Sequence, residues 1–350
     1  MDQQHIREQY QRPTAVIGGA GFLGGEVIRQ LRTLGCGEVR VADREPWQGG
    51  GEQVRSFVGD IRTMDLAGVL AGVGTVLHLA ACQYHSPLAA SKYDLPFFPV
   101  NVDGTRRVVA AAKSAGAERL VFVSTNMVYG IPRALPLDEG HVTEPFGPYG
   151  KSKLAAERIV AEAHSDSFQT SVVRPGLIVG PGRMGVFTHV FEWFLRNRPA
   201  WIIGSGNNRY EMMAVEDVAR LVLHVGAARD YVVYNCAAQS VPTMREWYEA
   251  IRKMAGSKSP IWGISAGPLK LGCRVLEAMR LSPLLRDQYL IADRDYYMDA
   301  KNARERLGWA PQWGGLDAIL ATFSWYLGAR NGAGTRAANG TGTASTPGIS

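Results

Sequence analysis

The chain has 350 residues, 46% of them hydrophobic and 20% charged, a balance typical of a folded globular protein with a substantial core. The formal net charge is +6, but no basic run of five or more residues occurs, so the charge does not indicate nucleic-acid binding. The four cysteines lie far apart without metal-ligand spacing, which suggests neither a disulfide framework nor a metal site.

Both ends of the chain are polar. Residues 1–12 carry no apolar signal-peptide core, and no run of about 18 apolar residues occurs. We therefore expect a polar N-terminal arm, no membrane span and a cytoplasmic location. Residues 329–350 consist mainly of Gly, Ala, Thr, Ser and Asn, so we expect a disordered tail.

A glycine-rich turn follows the first predicted strand, residues 15–17. Gly18, Gly21 and Gly24 stand at the start of a predicted helix, where glycines permit a tight turn and close approach of a pyrophosphate. Their Gly-x-x-Gly-x-x-Gly spacing differs from the common dinucleotide fingerprint, and a simple strand-to-helix turn explains the pattern about equally well.

The second predicted strand ends at Asp43. A carboxylate at this place accepts hydrogen bonds from the adenosine ribose of NAD and repels the extra phosphate of NADP. Arg44 follows it and would instead pair with that phosphate. The pattern favours NAD and leaves NADP as the alternative.

Further predicted strands, residues 54–58, 75–79 and 119–123, alternate with helical segments. This rhythm predicts an α/β fold with a doubly wound parallel sheet. Because such sheets bind ligands at the carboxyl ends of their strands, the residues just after two of these strands are candidate pocket residues: Gln83, Tyr84, His85, Ser124, Thr125 and Asn126.

Tyr149 and Lys153 lie four residues apart at the start of a predicted helix and so share one helix face. The reference pKa of tyrosine is about 10, so a nearby cation is needed for it to move protons at neutral pH. Lys153 is placed to supply that charge. Taken alone, the Tyr-x-x-x-Lys pattern also fits an exposed helix.

Together these motifs resemble the extended short-chain dehydrogenase/reductases, the group that contains NAD-dependent sugar epimerases and dehydratases. The resemblance covers residues 14–327 and is carried by Gly18-x-x-Gly21-x-x-Gly24, Asp60-Ile61, His78-Leu79-Ala80-Ala81, Asn101-Val102-Asp103-Gly104-Thr105, Ser124-Thr125, Val128-Tyr129-Gly130, Tyr149-x-x-x-Lys153 and Arg174-Pro175.

The resemblance implies a seven-stranded NAD(P)-binding Rossmann domain over residues 13–180. A substrate-binding lobe is implied mainly over residues 181–328, with some segments returning to the Rossmann domain. It implies that Tyr149 is the acid/base, that Lys153 binds the nicotinamide ribose and lowers the pKa of Tyr149, and that Thr125, or alternatively Ser124, orients the substrate. The implied cofactor-binding residues are Gly18, Gly21, Phe22, Leu23, Gly24, Asp43, Arg44, Asp60, Ile61, Leu79, Ala80, Ala81, Asn101, Tyr149, Lys153 and Pro175. For Asn101, a structural role in fixing the backbone is the stronger alternative.

The second half departs from the sugar-nucleotide members of that group. Leu177 stands where many of them carry Asn, and Tyr210 stands near the place of an Arg, with Arg209 one position away as a substitute. A diphosphate is costly to bury unpaired, so these differences weaken a sugar-nucleotide assignment.

Three functions remain open. The first is an NAD-dependent epimerase/dehydratase-type enzyme that oxidises and reduces a secondary alcohol on a sugar-like small molecule. The second is a net dehydrogenase or ketoreductase for an apolar, 3β-hydroxysteroid- or dihydroflavonol-like substrate, favoured by an apolar stretch over residues 260–285. The third is a non-catalytic NAD-sensing regulator. The resemblance also implies a homodimer through the helices at residues 102–115 and 149–163.

Overall fold

The computed structural model describes residues 3–84, 91–183, 186–228, 231–282 and 284–338. The strands in these residues are β1 (Thr14–Ile17), β2 (Val39–Asp43), β3 (Val54–Val58), β4 (Thr75–His78), β5 (Arg119–Val123), β6 (Gln169–Pro175), β7 (Leu177–Val179), β8 (Ala200–Ile203), β9 (Met212–Ala214), β10 (Val233–Cys236) and β11 (Ile261–Ile264).

The α-helices are α1 (Gln3–Gln9), α2 (Phe22–Thr33), α3 (Leu66–Leu70), α4 (Thr105–Ser114), α5 (Pro148–Glu162), α6 (Val186–Leu195), α7 (Val215–Gly226), α8 (Met244–Met254), α9 (Ala266–Ala278), α10 (Arg286–Tyr289), α11 (Lys301–Leu307) and α12 (Gly315–Ala338). A π-helical turn, Pro99–Gly104, precedes α4, and a 3₁₀ turn, Asn126–Val128, follows β5.

Seven parallel strands form the main sheet in the order β10-β6-β5-β4-β1-β2-β3. The chain order reverses between β1 and β4, so the crossover connections diverge at that point and leave a crevice at the carboxyl ends of these two strands. This sheet confirms the predicted doubly wound α/β fold with seven strands.

Helices cover both faces of this sheet because its central strands are apolar on both sides. One face carries α2, α7 and α11, whose apolar side chains share a core with the sheet. The other face carries α3, α4 and α5 over a second core. Strand β5, Arg119–Val123, is buried along its whole length. A strand that is covered on both faces needs apolar side chains on both, which explains its run of consecutive apolar residues.

A smaller lobe forms after β6 around a third apolar core that contains Phe187, Phe191, Phe194, Trp247 and Phe323. Here β7 pairs with β9 and β8 pairs with β11. Within residues 181–328, β10 is a strand of the main sheet, and α7 and α11 pack on that sheet. The helices α6, α8 and α12 surround the third core.

The ends of the chain differ from the expected arm and tail. Residues 3–9 form α1, with Ile6 buried and Tyr10 buried just beyond it, and the Tyr10 hydroxyl donates to the Leu223 carbonyl at 2.9 Å. Ile6 and Tyr10 are four positions apart and so lie on the same side of this segment, which packs on the core. At the other end α12 continues to Ala338, into the segment expected to be a tail. Residues 339–350 lie outside the described part.

Candidate active site

A cavity of about 460 Å³ opens at the crevice between the carboxyl ends of β1 and β4 and extends along β5 and β6. It is lined by nearly all the residues predicted for cofactor binding and catalysis: Gly18, Gly21, Phe22, Leu23, Gly24, Asp43, Arg44, Asp60, Ile61, Leu79, Ala80, Ala81, Ser124, Thr125, Tyr149, Lys153 and Pro175. The fold thus brings residues from distant parts of the chain to a single space.

The glycine turn forms one end of this cavity, and its packing requires glycine. Gly18 has a φ of +87°, and a Cβ there would lie 2.5 Å from the Ala80 amide nitrogen. A Cβ on Gly24 would lie 2.5 Å from the Gly18 carbonyl oxygen. Gly21 caps α2 without a side-chain hydrogen bond, so the first amides of the helix remain available to an anion at the turn.

Carboxylates lie beyond the glycine turn at the ends of β2 and β3. Asp43 accepts hydrogen bonds from the amides of Ala20 at 3.0 Å and Glu45 at 3.3 Å, which fixes its carboxylate at the cavity rim. Glu45 also lines the cavity and was missed by the sequence reasoning. Asp60 is held by Arg62 through two bonds of 3.0 and 2.7 Å, and the pKa of Asp60 is lowered chiefly by that side-chain pairing.

The opposite end of the cavity contains Tyr149 and Lys153, which α5 presents from its first turns. A Cβ on Gly150 would lie 2.7 Å from the Met127 carbonyl oxygen, so glycine lets this helix approach the end of β5. The Lys153 ammonium is buried, donates to the Val123 carbonyl at 2.7 Å and lies 4.0 Å from the Phe122 ring centroid. Burial lowers the pKa of Lys153 to about 7.

Thr125 and Tyr149, the two groups predicted to handle the substrate oxygen, both line this end of the cavity. Burial raises the pKa of Tyr149 to about 12, while the Thr125 hydroxyl and the charge of Arg183 act in the lowering direction. Ser124 is buried beside them, and its hydroxyl has no hydrogen-bond partner among the described residues. A donor is therefore left for a ligand.

Arg183 is the cation that acts on Tyr149 in this geometry, whereas Lys153 was expected to do so. It follows β7, its guanidinium carbon lies 5.5 Å from the Phe22 ring centroid, and it lines the cavity. Burial lowers its pKa and the Tyr149 hydroxyl raises it. No motif marks Arg183 in the sequence; only the return of this loop to the cavity reveals it.

Asn101 was predicted to bind cofactor, but it does not line the cavity. Its amide group is buried and exchanges hydrogen bonds with the Cys82 amide at 2.7 Å and the Cys82 carbonyl at 3.1 Å. It also donates to the Ser152 hydroxyl at 2.9 Å. Asn101 therefore fixes the loop after β4 against α5, which agrees with the structural alternative and not with cofactor binding.

The predicted substrate residues separate into two groups. Gln83 and Asn126 line the cavity, whereas Tyr84 does not. The exposed Arg209 is also outside it and its backbone amide donates to Asp295 at 2.7 Å, which corrects the idea that it substitutes for a family arginine. Tyr210 lines the cavity instead, because neighbouring residues in extended backbone point to opposite sides. His85 lies outside the described residues.

A second cavity of about 250 Å³ lies beside Tyr84. The Tyr84 ring packs at 5.1 Å from Phe97 and 5.8 Å from Tyr149, and its hydroxyl donates to Asp287. Burial raises the pKa of Asp287 to about 6. The second cavity is lined by Tyr84, Lys92, Tyr93, Leu95, Phe97, Phe98, Pro99, Pro148, Glu277, Leu285 and Arg286.

A buried carboxyl group, Glu211, lies behind the cavity wall near Gly176. Its two oxygens accept the amides of Ala238 at 2.9 Å and Met298 at 3.2 Å. Burial raises the pKa of Glu211 to about 8. The two hydrogen bonds lower this pKa, but by less than burial raises it. Sequence reasoning missed Glu211, since no pattern distinguishes it from a surface glutamate.

A buried ion pair joins α5 to the sheet. Arg174 on β6 forms bonds of 3.0 and 2.6 Å to Glu157 on α5 and a bond of 3.0 Å to the Tyr129 hydroxyl. Tyr129 in turn donates to Asn235 at 2.6 Å. Glu157 also acts on Lys153, whose pKa it raises.

Among the described residues, no cluster of three or more His, Cys, Asp or Glu side chains is arranged to hold a metal ion. In the same residues, no helix combines the length and apolar character needed to cross a bilayer.

Comparisons with known proteins agree with this geometry. Residues 14–237 match the model of the "NAD dependent epimerase/dehydratase family". Sterol-4-alpha-carboxylate 3-dehydrogenase, decarboxylating, of Homo sapiens is 31% identical over 226 residues, 62% of this chain and 58% of that protein. UDP-glucose 4-epimerase of Mycolicibacterium smegmatis is 29% identical over 334 residues, 89% of this chain and 98% of that protein.

Among solved structures, MoeE5 in complex with UDP-glucose and NAD superposes with a TM-score of 0.74 at 26% identity, covering 91% of this chain and 99% of that one. The family model spans well over half of the chain and includes the glycine turn, the strand-end hydroxyls, Tyr149 and Lys153. The chain belongs to the NAD-dependent epimerase/dehydratase family, an extended short-chain dehydrogenase/reductase with a Rossmann fold.

Proposed function

We propose that this enzyme oxidises a secondary alcohol on a sugar-like substrate and returns the hydride, in the manner of an epimerase. The observation that carries the proposal is the convergence of Thr125, Tyr149 and the buried Lys153 at the opposite end of the cavity from the glycine turn. The similarity to an epimerase over nearly the full length of both chains supports the proposal.

NAD fits the residues present. The tight packing of Gly18 and Gly24 leaves the start of α2 open to a pyrophosphate, and Asp43 is held at the rim for the adenosine ribose. Glu45 lines the cavity with Asp43, and this second carboxylate adds negative charge that would disfavour the extra phosphate of NADP. When bound, NAD supplies the acceptor for the substrate hydride.

The chain's own residues handle the proton and the oxygen. The Tyr149 phenolate oxygen takes the proton of the substrate hydroxyl and later returns it, while the Thr125 hydroxyl orients that oxygen. The positive charge of Arg183 acts against the effect of burial on the pKa of the Tyr149 phenol. Walls of Met127 and Ile178 limit water at this end of the cavity.

The substrate end of the cavity suits a hydroxylated, anionic molecule. The Ser124 hydroxyl is free to donate, and Gln83 and Asn126 add side-chain amides. Arg183 provides a partly buried guanidinium for a carboxylate or phosphate oxygen, a role that the sequence had given to Arg209.

A second candidate is the net oxidation of a more apolar alcohol. It is favoured by Leu177, which lines the cavity with Ile178 and Met127 where a sugar-nucleotide enzyme would place an amide. The resemblance to a sterol dehydrogenase, which extends over only part of that protein, points in the same direction.

The nucleotide released by denaturing the freshly purified protein tests the two candidates. Stoichiometric bound NAD and substrate interconversion without net NADH would support the epimerase. Empty protein that accumulates NADH in step with product would support the net dehydrogenase instead.

Replacement of Tyr149 by Phe tests the proposed proton transfer. We expect the turnover rate to fall at least about 100-fold, as is usual when a general acid/base is removed, with NAD affinity retained. Tyr248→Phe is the matched control, because Tyr248 is buried in the smaller lobe and its hydroxyl donates to the Trp201 carbonyl at 3.2 Å, away from the cavity lining. Full turnover by Tyr149→Phe would refute the mechanism.

We also infer a homodimer in which α4 and α5 pack against their copies. These helices lie side by side on one face of the sheet, as expected for a four-helix contact. Light scattering at micromolar concentration tests this, and a monomer would reject it.

A further inference from the structure

One buried carboxylate lines neither cavity and takes no part in the proposed proton transfer. Asp287, in the first turn of α10, is 2% exposed. It accepts the hydroxyl of Tyr84, a residue of the loop after β4 that lies 203 positions earlier in the chain. A carboxylate taken out of water is costly unless it is hydrogen-bonded, so a role for Asp287 is to be sought in what it contacts.

The Tyr84 ring supports the catalytic tyrosine from the side of the second cavity. Tyr149 lines the first cavity and Tyr84 lines the second, and their ring centroids are 5.8 Å apart. Phe97 completes the group, with its ring 5.1 Å from Tyr84 and 6.1 Å from Tyr149. The rings are inclined to one another, which is a favoured arrangement of aromatic side chains. The orientation of Tyr149 therefore depends on where Tyr84 is held.

Asp287 also packs on the start of the helix that carries Tyr149. Gly147 caps α5 without a side-chain hydrogen bond, and a Cβ on Gly147 would overlap the Asp287 carboxylate. Only glycine leaves room for this approach, two positions before Tyr149. A carboxylate is favourable there because the helix dipole is positive at its N-terminus. Asp287 thus contacts both supports of Tyr149, the Tyr84 side chain and the first turn of α5.

The charge of Asp287 reaches Tyr149 as well. Burial is the main cause that raises the pKa of Tyr149, and the Asp287 carboxylate raises it further. Burial raises the pKa of Asp287 itself to about 6, so the carboxylate is largely ionised at neutral pH. Groups from each element packed against it face Asp287: Glu277 on α9 adds to this rise, Tyr84, Lys151 and Arg286 act against it, and Tyr296 lies within reach of its charge.

We propose that Asp287 and Tyr84 are positioning residues for Tyr149. The Asp287 carboxylate holds Tyr84 by its hydroxyl, and the Tyr84 ring holds the Tyr149 ring in the orientation in which it lines the first cavity. The negative charge of Asp287 opposes ionisation of the Tyr149 phenol, whereas Arg183 favours it, so the two charges together set the acidity of the phenol. The pair serves the proposed function, in which Tyr149 is the acid/base.

Fluorine NMR of the full chain, with Tyr149 replaced by 3,5-difluorotyrosine, tests the pair without an identified substrate. Fluorine makes a phenol more acidic, so its ionisation can be followed while the chain remains folded. Asp287→Asn keeps an acceptor for the Tyr84 hydroxyl but removes the charge, so the phenol should ionise at lower pH than in the wild type. Tyr84→Phe keeps the ring but removes its tether, so the fluorine resonance should move.

Tyr93→Phe is the matched control for Tyr84→Phe, because Tyr93 lines the same cavity but its hydroxyl donates to a backbone carbonyl at 3.4 Å. Asp293→Asn, which removes an ion-paired carboxylate farther along the chain, is the control for Asp287→Asn. Both controls should give the wild-type resonance and titration. Circular dichroism and NAD titration establish that each variant is folded.

Two results would overturn the proposal. One is a titration midpoint for Asp287→Asn at or above the wild-type value, and the other is a resonance in Tyr84→Phe that coincides with that of Tyr93→Phe. Because the fluorine signal reports the ring and not turnover, these results are distinguishable from failure of the proposed reaction, which full turnover by Tyr149→Phe would reject.

Discussion

Removal of the Arg174 guanidinium should destabilise the protein strongly. In the native pair the side chains of Arg174 and Glu157 are only 6% and 5% exposed, respectively. Arg174→Met therefore leaves the Glu157 carboxylate buried without its partner. Breaking a buried pair by deleting one partner costs about 3–5 kcal/mol, because the remaining charge is neither hydrated nor paired. The Tyr129 hydroxyl also loses the donor that lies 3.0 Å away.

The size of the effect can be converted to a melting temperature. An unfolding entropy of about 2.1 cal/mol/K per residue gives roughly 0.7 kcal/mol/K for 350 residues. A loss of about 3–5 kcal/mol therefore lowers Tm by about 4–7 °C. Urea unfolding monitored by circular dichroism measures the same loss at constant temperature.

A double-mutant cycle isolates the pair itself. Arg174→Met/Glu157→Leu removes both charges, so the double variant should be more stable than either single variant. Strictly additive losses, or a loss below about 1 kcal/mol for Arg174→Met, would refute the reasoning. Arg174→Lys, which keeps the charge but not the planar fork, should lie between wild type and Arg174→Met.

Three further predictions concern the cavity. Gly24→Ala should weaken NAD binding at least about tenfold, because its Cβ would lie 2.5 Å from the Gly18 carbonyl oxygen. The control Gly25→Ala, whose Cβ would lie 3.9 Å from its nearest neighbour, should bind NAD as the wild type does. Equal NAD titration curves for the two variants would contradict this. Asp43→Ser should raise the affinity for NADP relative to NAD at least about tenfold, and an unchanged ratio would remove Asp43 from its assigned role. Burial raises the pKa of Glu211 from 4.5 to about 8, so between these values the folded chain holds a proton that the unfolded chain has released. The free energy of unfolding should therefore fall as pH rises through this window, and Glu211→Gln should remove that fall; an unchanged slope in urea titrations would reject it.

Local patterns were enough to identify the family and most of the cavity. The glycine spacing, the alternation of strands with helices and the Tyr149-x-x-x-Lys153 spacing are set by backbone geometry within a few residues. Parallel strands also end at one edge of a sheet, so strand-end residues such as Ser124 and Thr125 could be assigned to a shared pocket before the structure was known.

The residues that the sequence missed or misassigned depend on contacts between distant segments. Arg183 reaches the cavity because the loop after β7 folds back over the glycine turn, and Glu211 is buried by strands far along the chain. Tyr210 lines the cavity where Arg209 was predicted to do so, because adjacent side chains point to opposite sides of an extended segment and only the backbone orientation decides which one faces the cavity.

The sequence by itself determined the fold class, the cofactor-binding turn and the tyrosine–lysine pair, because each rests on short-range spacing. Only the tertiary structure decided the electrostatics and the exposed surfaces. The direction in which the pKa of Tyr149 moves depends on burial and on Arg183, and α9 leaves Leu271 and Val275 exposed although its sequence is largely apolar. Burial and charge separation are properties of the packed chain, so no local pattern contains them.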